Sequence, residues 1–291
     1  MAHIIMQSFH DDPSALGTLL KAFTSRNSTF KAKEEVPLIR IERKGVRIRE
    51  GHAAVFNEIC GLPSSSEMNI LYPFTLVYPY IMRILCRKDM PFSLFRVLNT
   101  VNNITMYQPL HVGDTVDVIC YNSDMRITER GIETDITSEI ISEGIRIWDN
   151  VTTYLLRGKF RDAVDASPFV SLEPIQGAPR TTQWYLPVKD RFRFARVSGD
   201  TNGIHYWKIY ARMFGFERDF SQPIRITARC AAELPLPEGA GPVKMIFFLK
   251  GPVYYGRLLE LRSAGNDKGY RFDLYCEGNE RPCISGEVMK I

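Results

Sequence analysis

"QPLHVGDTVDVICYNSD", residues 108–124, returns in altered form as "GPVYYGRLLELRSAGND" at 251–267. Pro109 stands over Pro252, Gly113 over Gly256 and Asp124 over Asp267, all at one offset of 143. Downstream, "GIETDI" (131–136) lies over "GYRFDL" (269–274), and the smaller offset there implies a shorter hairpin turn in the second copy. Matches in common register, set among β-branched and aromatic residues, identify the chain as a duplicated unit.

The order of elements around the two stretches supports the duplication. In the first half, "EVPLIRIERKGVRIRE" (35–50) alternates apolar and charged residues and carries a Lys-Gly turn signal, so it reads as a strand or hairpin. A helix follows at "VYPYIMRILCRK" (77–88), with Pro79 in its first turn and Tyr80, Ile81, Ile84 and Leu85 on one face. From 92 to 159 come strands: "SLFRVLNTVNNITMY", "DTVDVICYN", "GIETDITSEIIS" and "IRIWDNVTTYLL". The second half repeats this, with "FRFARV" (192–197) as a strand, a helical region over 203–234, and four strand-like runs to the end. Between the halves, "GKFRDAVDASPFVSLEPIQGAPR" (158–180) carries Pro168, Pro174 and Pro179 and reads as a connector. The expected organisation is therefore an α+β unit over 1–157, a linker over 158–180 and a second α+β unit over 181–291. An N-terminal helix is expected at 11–23, where Asp12 caps, Pro13 fits the first turn, and Leu16, Leu19, Leu20 and Phe23 form one stripe.

The bulk properties exclude several classes. The chain has 291 residues, 45% hydrophobic and 24% charged, which is ordinary globular composition. Its net charge of +4 comes from 37 basic and 33 acidic residues scattered together, with no concentrated basic stripe for nucleic acid. Six cysteines stand far apart with no C-x-x-C, and none of the five histidines has another four residues away. That pattern points to reduced, buried thiols and no metal site. No apolar run approaches membrane length and the N-terminal stretch lacks a basic n-region, so a cytoplasmic protein without membrane contact is expected.

Chemistry concentrates at "VSGDTNGIHYWKIYARMFGF" (197–216). Ser198, Gly199, Asp200, Asn202 and His205 bridge an expected strand and helix, and Ile204, Trp207, Ala211 and Phe214 follow at helical spacing. A reversal at Gly199 and Gly203 could bring the Asp200 carboxylate and the His205 imidazole to one spot. Such a pair suits proton traffic: the carboxylate takes a proton from water, the imidazole gives or orients another, and the roles swap in reverse. Addition of water to a conjugated double bond needs this arrangement plus a donor on the carbonyl oxygen, and it needs no cofactor. The alternative is a capped turn, which the same residue types also suit.

The stretch resembles the hydratase motif of MaoC-like proteins, the R-specific enoyl-CoA hydratase branch of the hotdog fold, whose pattern is roughly S-G-D-x-N-P-x-H. Ser198, Gly199, Asp200, Asn202 and His205 match it, and "YARMFGF" (210–216) looks like the A-x-x-x-G-F continuation. Weaker resemblance extends over the chain to double-hotdog members, in which the second repeat keeps the motif and the first loses it. The resemblance implies two hotdog-like repeats, each a central helix wrapped by antiparallel sheet, packed as a pseudo-dimer joined through edge strands. "GHAAVFNEICG" (51–61) would occupy the motif's place in the first repeat, with 62–88 shaping an acyl pocket. It implies reversible hydration of a trans-2-enoyl-CoA, or the carrier-protein thioester, to the (R)-3-hydroxyacyl form. Asp200 would activate the water, His205 would act with it, Asn202 would hold the turn, and a homodimer of pseudo-dimers is allowed.

Two departures stand out. The family's proline is Gly203 here, which removes a fixed φ angle. The usual His-Gly-Met before the central helix is replaced by "SQPIRITARC" (221–230), where backbone N–H groups near Arg225 or Ile226 are left as oxyanion donors. Arg225 and Arg229 read as solvated helix arginines, with acyl-CoA phosphates or a carrier's acidic face as the other option. His52 and His111 read as structural or exposed, and "YPFTLVYP" (72–79) as pocket wall and core. Two rival functions remain: a hotdog thioesterase, for which this region offers only Glu233 as carboxylate, and a non-catalytic acyl-thioester binding or assembly protein.

Overall fold

A computed structural model describes residues 4–9, 36–90, 92, 94–160, 165–177, 179–234 and 241–291. The helix expected at 11–23 lies outside the described residues.

Among those residues, eleven strands form one sheet in the order β1-β2-β4-β5-β6-β3-β8-β11-β10-β9-β7. The first unit contributes β2 (Leu38–Arg47), β3 (Val97–Met106), β4 (Thr115–Thr128), β5 (Gly131–Ser142) and β6 (Ile145–Arg157). The second contributes β7 (Arg180–Leu186), β8 (Val243–Leu249), β9 (Arg257–Asn266), β10 (Gly269–Cys276) and β11 (Ile284–Lys290). Taken from the outside inward, β2-β4-β5-β6-β3 has the same sequence of elements as β7-β9-β10-β11-β8. The halves therefore meet head to head at β3 and β8, which pair antiparallel through Val101↔Phe248 and Ile104↔Met245. That seam closes two edges that separate units would leave open. β1 (Ile4–Phe9) adds a parallel strand outside β2 and has no counterpart among the described residues of the second half.

The duplicated glycines explain why the offset could be read. Gly113 and Gly256 take φ of 95° and 74°, in the left-handed region that glycine enters without a Cβ clash. Each donates its N–H back to the end of the unit's first strand, to the Ile48 and Leu186 carbonyls respectively. The Asp124–Asp267 match has no such meaning: Asp124 lies inside β4, whereas Asp267 lies in the β9–β10 turn. Both hairpins turn through two residues, since Thr128 pairs with Gly131 and Asn266 with Gly269. The shorter offset reflects a longer strand β4, with a bulge between Asn122 and Asp124, and not a shorter turn.

Among the described residues the helices are α1 (Glu50–Cys60), α2 (Phe74–Leu85), α3 (Arg191–Ser198), α4 (Lys208–Met213) and α5 (Pro223–Glu233). α2 packs on β2, β4 and β5 and buries Val77, Tyr80, Ile81, Ile84 and Leu85. α5 holds the corresponding place in the second unit and buries Ile224, Ala228 and Cys230. Two sequence expectations are corrected, and one open alternative is decided. Of the strand or hairpin read at 35–50, the described residues form the strand, Leu38–Arg47, bulged between Arg43 and Val46. Pro79 lies in mid-helix, because α2 already starts at Phe74. "FRFARV" belongs to helix α3, whose buried Phe194 and Val197 are three residues apart, while Phe192 is exposed and stacks on Tyr206.

The helices also bind the halves together. His52 of α1 bridges them, with Nδ1 to the Tyr72 hydroxyl and Nε2 to the Val197 carbonyl, both at 2.9 Å. Arg225 is buried, not solvated: its Nε donates to the Ile59 carbonyl and Nη1 to the Lys189 carbonyl. Arg229 lies over the Trp184 ring and pairs with Glu233 at 3.5 Å.

Candidate active site

Ser198 ends α3, and Gly199 follows at φ 72° as its left-handed cap. An added Cβ there would stand 3.0 Å from the Pro79 ring of α2, so the turn rests directly on the first repeat. The Ser198 hydroxyl donates to the Phe194 carbonyl and receives the Asp200 N–H at 3.2 Å. Asp200 Oδ1 accepts the Asn202 N–H at 3.0 Å, and Asn202 Oδ1 accepts the Ile204 N–H at 3.3 Å, capping a 3₁₀ turn over Gly203–His205. The motif thus bridges a helix and a 3₁₀ turn, where a strand and a helix were expected. One oxygen of Asp200 thus caps a turn, as the capped-turn alternative expects, while the other faces His205.

That other oxygen, Oδ2, stands 3.5 Å from His205 Nε2, with both side chains nearly buried. His205 Nδ1 lies 2.9 Å from the Phe220 carbonyl. A carbonyl can only accept, so Nδ1 carries a proton and Nε2 presents its lone pair towards Asp200 unless it too is protonated. Two acceptors facing each other across this gap favour a proton, or a proton-bearing oxygen, between them.

Gly203 has a packing reason of its own. A Cβ there would approach the Tyr210 ring to 2.8 Å, so Tyr210 covers the face that a proline ring would occupy. The turn is fastened to the start of α5 by a chain in which Tyr255 donates to Gln222 Oε1 at 3.2 Å and Gln222 Nε2 donates to the Tyr206 hydroxyl at 2.7 Å. The Tyr206 hydroxyl in turn donates to the Asp200 carbonyl.

A cavity of about 1070 Å³, counting its open mouth, lies over the pair. Ser198, Asp200, Asn202 and His205 line it from the second repeat, together with Gln222, Pro223 and Ile224 at the start of α5. Phe74, Tyr78 and Met82 of α2, Leu94 to Thr100 except the two residues before Val97, and Tyr154 of β6 line it from the first. Of the expected donors, Arg225 and Ile226 are buried in α5 outside this lining. Glu233 also stands apart from it, paired with Arg229, which removes the carboxylate that hydrolysis would use. Among the described residues no group of three His, Cys, Asp or Glu side chains is placed to hold a metal ion. No helix among them is long and apolar enough to cross a membrane.

Two tyrosines that the motif does not contain complete the site. Tyr78 is buried beside Asp200, and burial, then the Asp200 charge, push its pKa well up. Burial and the same charge raise Tyr154. Both are neutral phenols at physiological pH and hence donors. They lie 122 and 46 residues before Asp200, in the other repeat, and no local spacing could have connected them to it.

No family model matches the chain. It is 27% identical over 247 residues to 3-hydroxyacyl-thioester dehydratase X of Mycobacterium tuberculosis, covering 79% of this chain and 88% of that one. A crystal structure of that dehydratase, HtdX, superposes with a TM-score of 0.74 at 24% identity, over 87% of this chain and 100% of the other. A MaoC-like dehydratase from Phytophthora capsici gives 0.73 at 12% identity, over 88% and 95% of the two chains. A double-hotdog protein of Mycobacterium tuberculosis gives 0.55 at 13% identity, over 93% and 97%. The chain shares the double hotdog fold of the MaoC-like dehydratases, as the motif and the duplication led one to expect.

Proposed function

We propose, from the double hotdog fold shared with the MaoC-like dehydratases and the relationship to a 3-hydroxyacyl-thioester dehydratase, that this protein is a hydro-lyase of acyl thioesters. It interconverts a trans-2-enoyl thioester and the (R)-3-hydroxyacyl thioester, with the acyl group carried on CoA or on a carrier protein. The observation that carries this reading is the buried Asp200–His205 pair facing a largely apolar cavity, with the imidazole tautomer set by the Phe220 carbonyl.

In the hydration direction, Asp200 Oδ2 takes a proton from water as the oxygen adds to C3. His205, protonated at both nitrogens, gives its Nε2 proton to C2, and the proton on Asp200 returns to Nε2 across the gap between them. Dehydration runs the same steps backwards. Negative charge gathers on the thioester oxygen when C3 is attacked and must be met by a donor. Gln222 caps α5 and Pro223 has no N–H, while the Ile226 N–H is taken by the Gln222 carbonyl in the first helical turn. Ile224 lines the cavity and carries the first free N–H of the helix, so the donor shifts to it from Arg225 and Ile226. The first repeat, through α2 and β3, forms the wall along which the acyl chain lies.

The test follows loss of the conjugated enoyl absorbance with crotonyl-CoA and longer trans-2-enoyl-CoAs. Turnover by the wild type on at least one chain length supports the reading. A folded protein that binds acyl-CoA but turns over none of them would instead be an acyl-thioester binding protein, and the reading would fall.

A further inference from the structure

The cavity holds a donor that the reaction scheme above leaves unused. Tyr154 is 5% exposed and lines the cavity, and its buried hydroxyl meets no hydrogen-bond partner among the described residues. Buried hydroxyls are nearly always paired, because an unpaired one has given up its bonds to water for nothing. A hydroxyl left so beside a cavity is satisfied by whatever enters it. The Asp200 charge acts on it, yet no hydrogen bond joins the two: Oδ1 of the carboxylate accepts the Asn202 N–H and Oδ2 faces His205. The phenol is therefore free to bind an oxygen held between itself and the Asp200–His205 pair.

We propose that Tyr154 is a further catalytic residue, whose hydroxyl donates a hydrogen bond to the oxygen at C3 of the substrate: the adding water in one direction and the leaving hydroxyl in the other. The inference rests on the hydro-lyase reading. The C3 oxygen is chosen over the thioester oxygen because Tyr154 lines the cavity within reach of the Asp200 charge, while the start of α5 supplies the other donor. In dehydration the C3–O bond breaks towards hydroxide, so the hydrogen bond gains charge assistance as the transition state is approached. Water placed there gives one proton to Asp200 and accepts from Tyr154, which fixes the lone pair that attacks C3. The donor comes from β6 of the first repeat, so the repeat without the motif would take part in the chemistry and not only in the pocket wall.

Tyr154→Phe keeps the ring and removes only the hydroxyl. We expect kcat to fall about tenfold or more with KM for the enoyl thioester within about twofold, the pattern of a contact made chiefly in the transition state. The melting temperature should hold or rise, because an unpaired buried hydroxyl disappears. A tyrosine with a purely structural role would lower it. Calorimetric binding separates this inference from the reaction itself: butyryl-CoA, which has no oxygen at C3, should bind wild type and Tyr154→Phe alike. In an Asp200→Asn background that blocks turnover, adding Tyr154→Phe should weaken (R)-3-hydroxybutyryl-CoA by about fivefold to tenfold, the effect of one hydrogen bond. Equal affinities and an unchanged kcat would overturn the inference and leave the hydro-lyase reading intact. A wild type with no turnover would overturn that reading, and the binding comparison would still decide whether Tyr154 reads the C3 oxygen.

Discussion

Both repeats run from an edge-side strand through a helix to a left-handed glycine, and they part at the next residue. In the first, Gly61 (φ 69°) ends α1, and the Leu62 N–H turns back to the Asn57 carbonyl at 2.8 Å. This is the tight helix stop that tucks a hydrophobic residue against the core, and Leu62 packs there. In the second, Gly199 (φ 72°) ends α3, but the Asp200 N–H goes to the Ser198 hydroxyl and the chain leads away into the 3₁₀ turn. One residue seals a core and its counterpart carries a carboxylate to the seam between the repeats. This places the counterpart of the motif after Gly61, and not at 51–61, which is α1. Duplication thus divided the parts: one copy gives the Asp200–His205 pair, and the other gives the opposite cavity wall with Tyr78 and Tyr154.

The largest effect should come from the pair itself. Asp200→Asn and His205→Ala are each expected to lower kcat by about a hundredfold or more, and the double variant by little beyond the worse single one. Leu62→Ala, at the counterpart position, should leave kcat within about threefold and lower the melting temperature. Equal losses at both positions would break the division of labour. Next comes Tyr78→Phe, which removes the phenol hydroxyl beside the carboxylate and should lower kcat about tenfold through positioning, with KM little changed.

The paired glycines sharpen the comparison further. Gly199→Ala and Gly61→Ala both force a Cβ into left-handed backbone, at about 1–2 kcal/mol of stability each. At Gly61 the new methyl meets only the flexible end of Arg229, at 2.7 Å, whereas at Gly199 it meets the Pro79 ring at 3.0 Å, which cannot step aside. Thermal melts should therefore show similar losses, while turnover should fall severalfold in Gly199→Ala only.

How much of this was legible varies with the range of the interaction. The duplication could be read because Gly113 and Gly256 hold the same backbone turn, a local demand that only glycine meets cheaply. The pair Asp200 and His205 could be found because both lie within one turn of chain. Helix α3 was misread because Phe192 and Phe194 alternate as a strand would. In the structure the exposed Phe192 stacks on the buried Tyr206 and Phe194 enters the core, an arrangement set by packing against α1 and α2. Arg225 gave no sign of being buried, since its partners are carbonyls at 59 and 189. Tyr78 and Tyr154 belong to ordinary apolar runs, and the closing of β3 on β8, with the helix contacts across it, brings their repeat against the motif.

The smallest effect concerns alkaline pH. Burial raises Tyr154 and Tyr206 above the usual tyrosine value, so the folded state holds these protons after the unfolded chain has begun to lose them. Stability they contribute is complete below about pH 10 and is lost as pH rises beyond it. The melting temperature should be flat with respect to these groups up to that point and then decline, less steeply in Tyr154→Phe.

The most direct test of the account is the stereochemistry of hydration in deuterated water. Asp200 and His205 stand together on one side of the cavity, 3.5 Å apart, so the oxygen and the C2 proton must reach the double bond from the same face. NMR analysis of the 3-hydroxyacyl thioester made from a trans-2-enoyl-CoA should show one diastereomer, with deuterium at C2 added syn to an (R) hydroxyl. An anti product, or a mixture of diastereomers, would contradict the placing of both proton transfers on this pair.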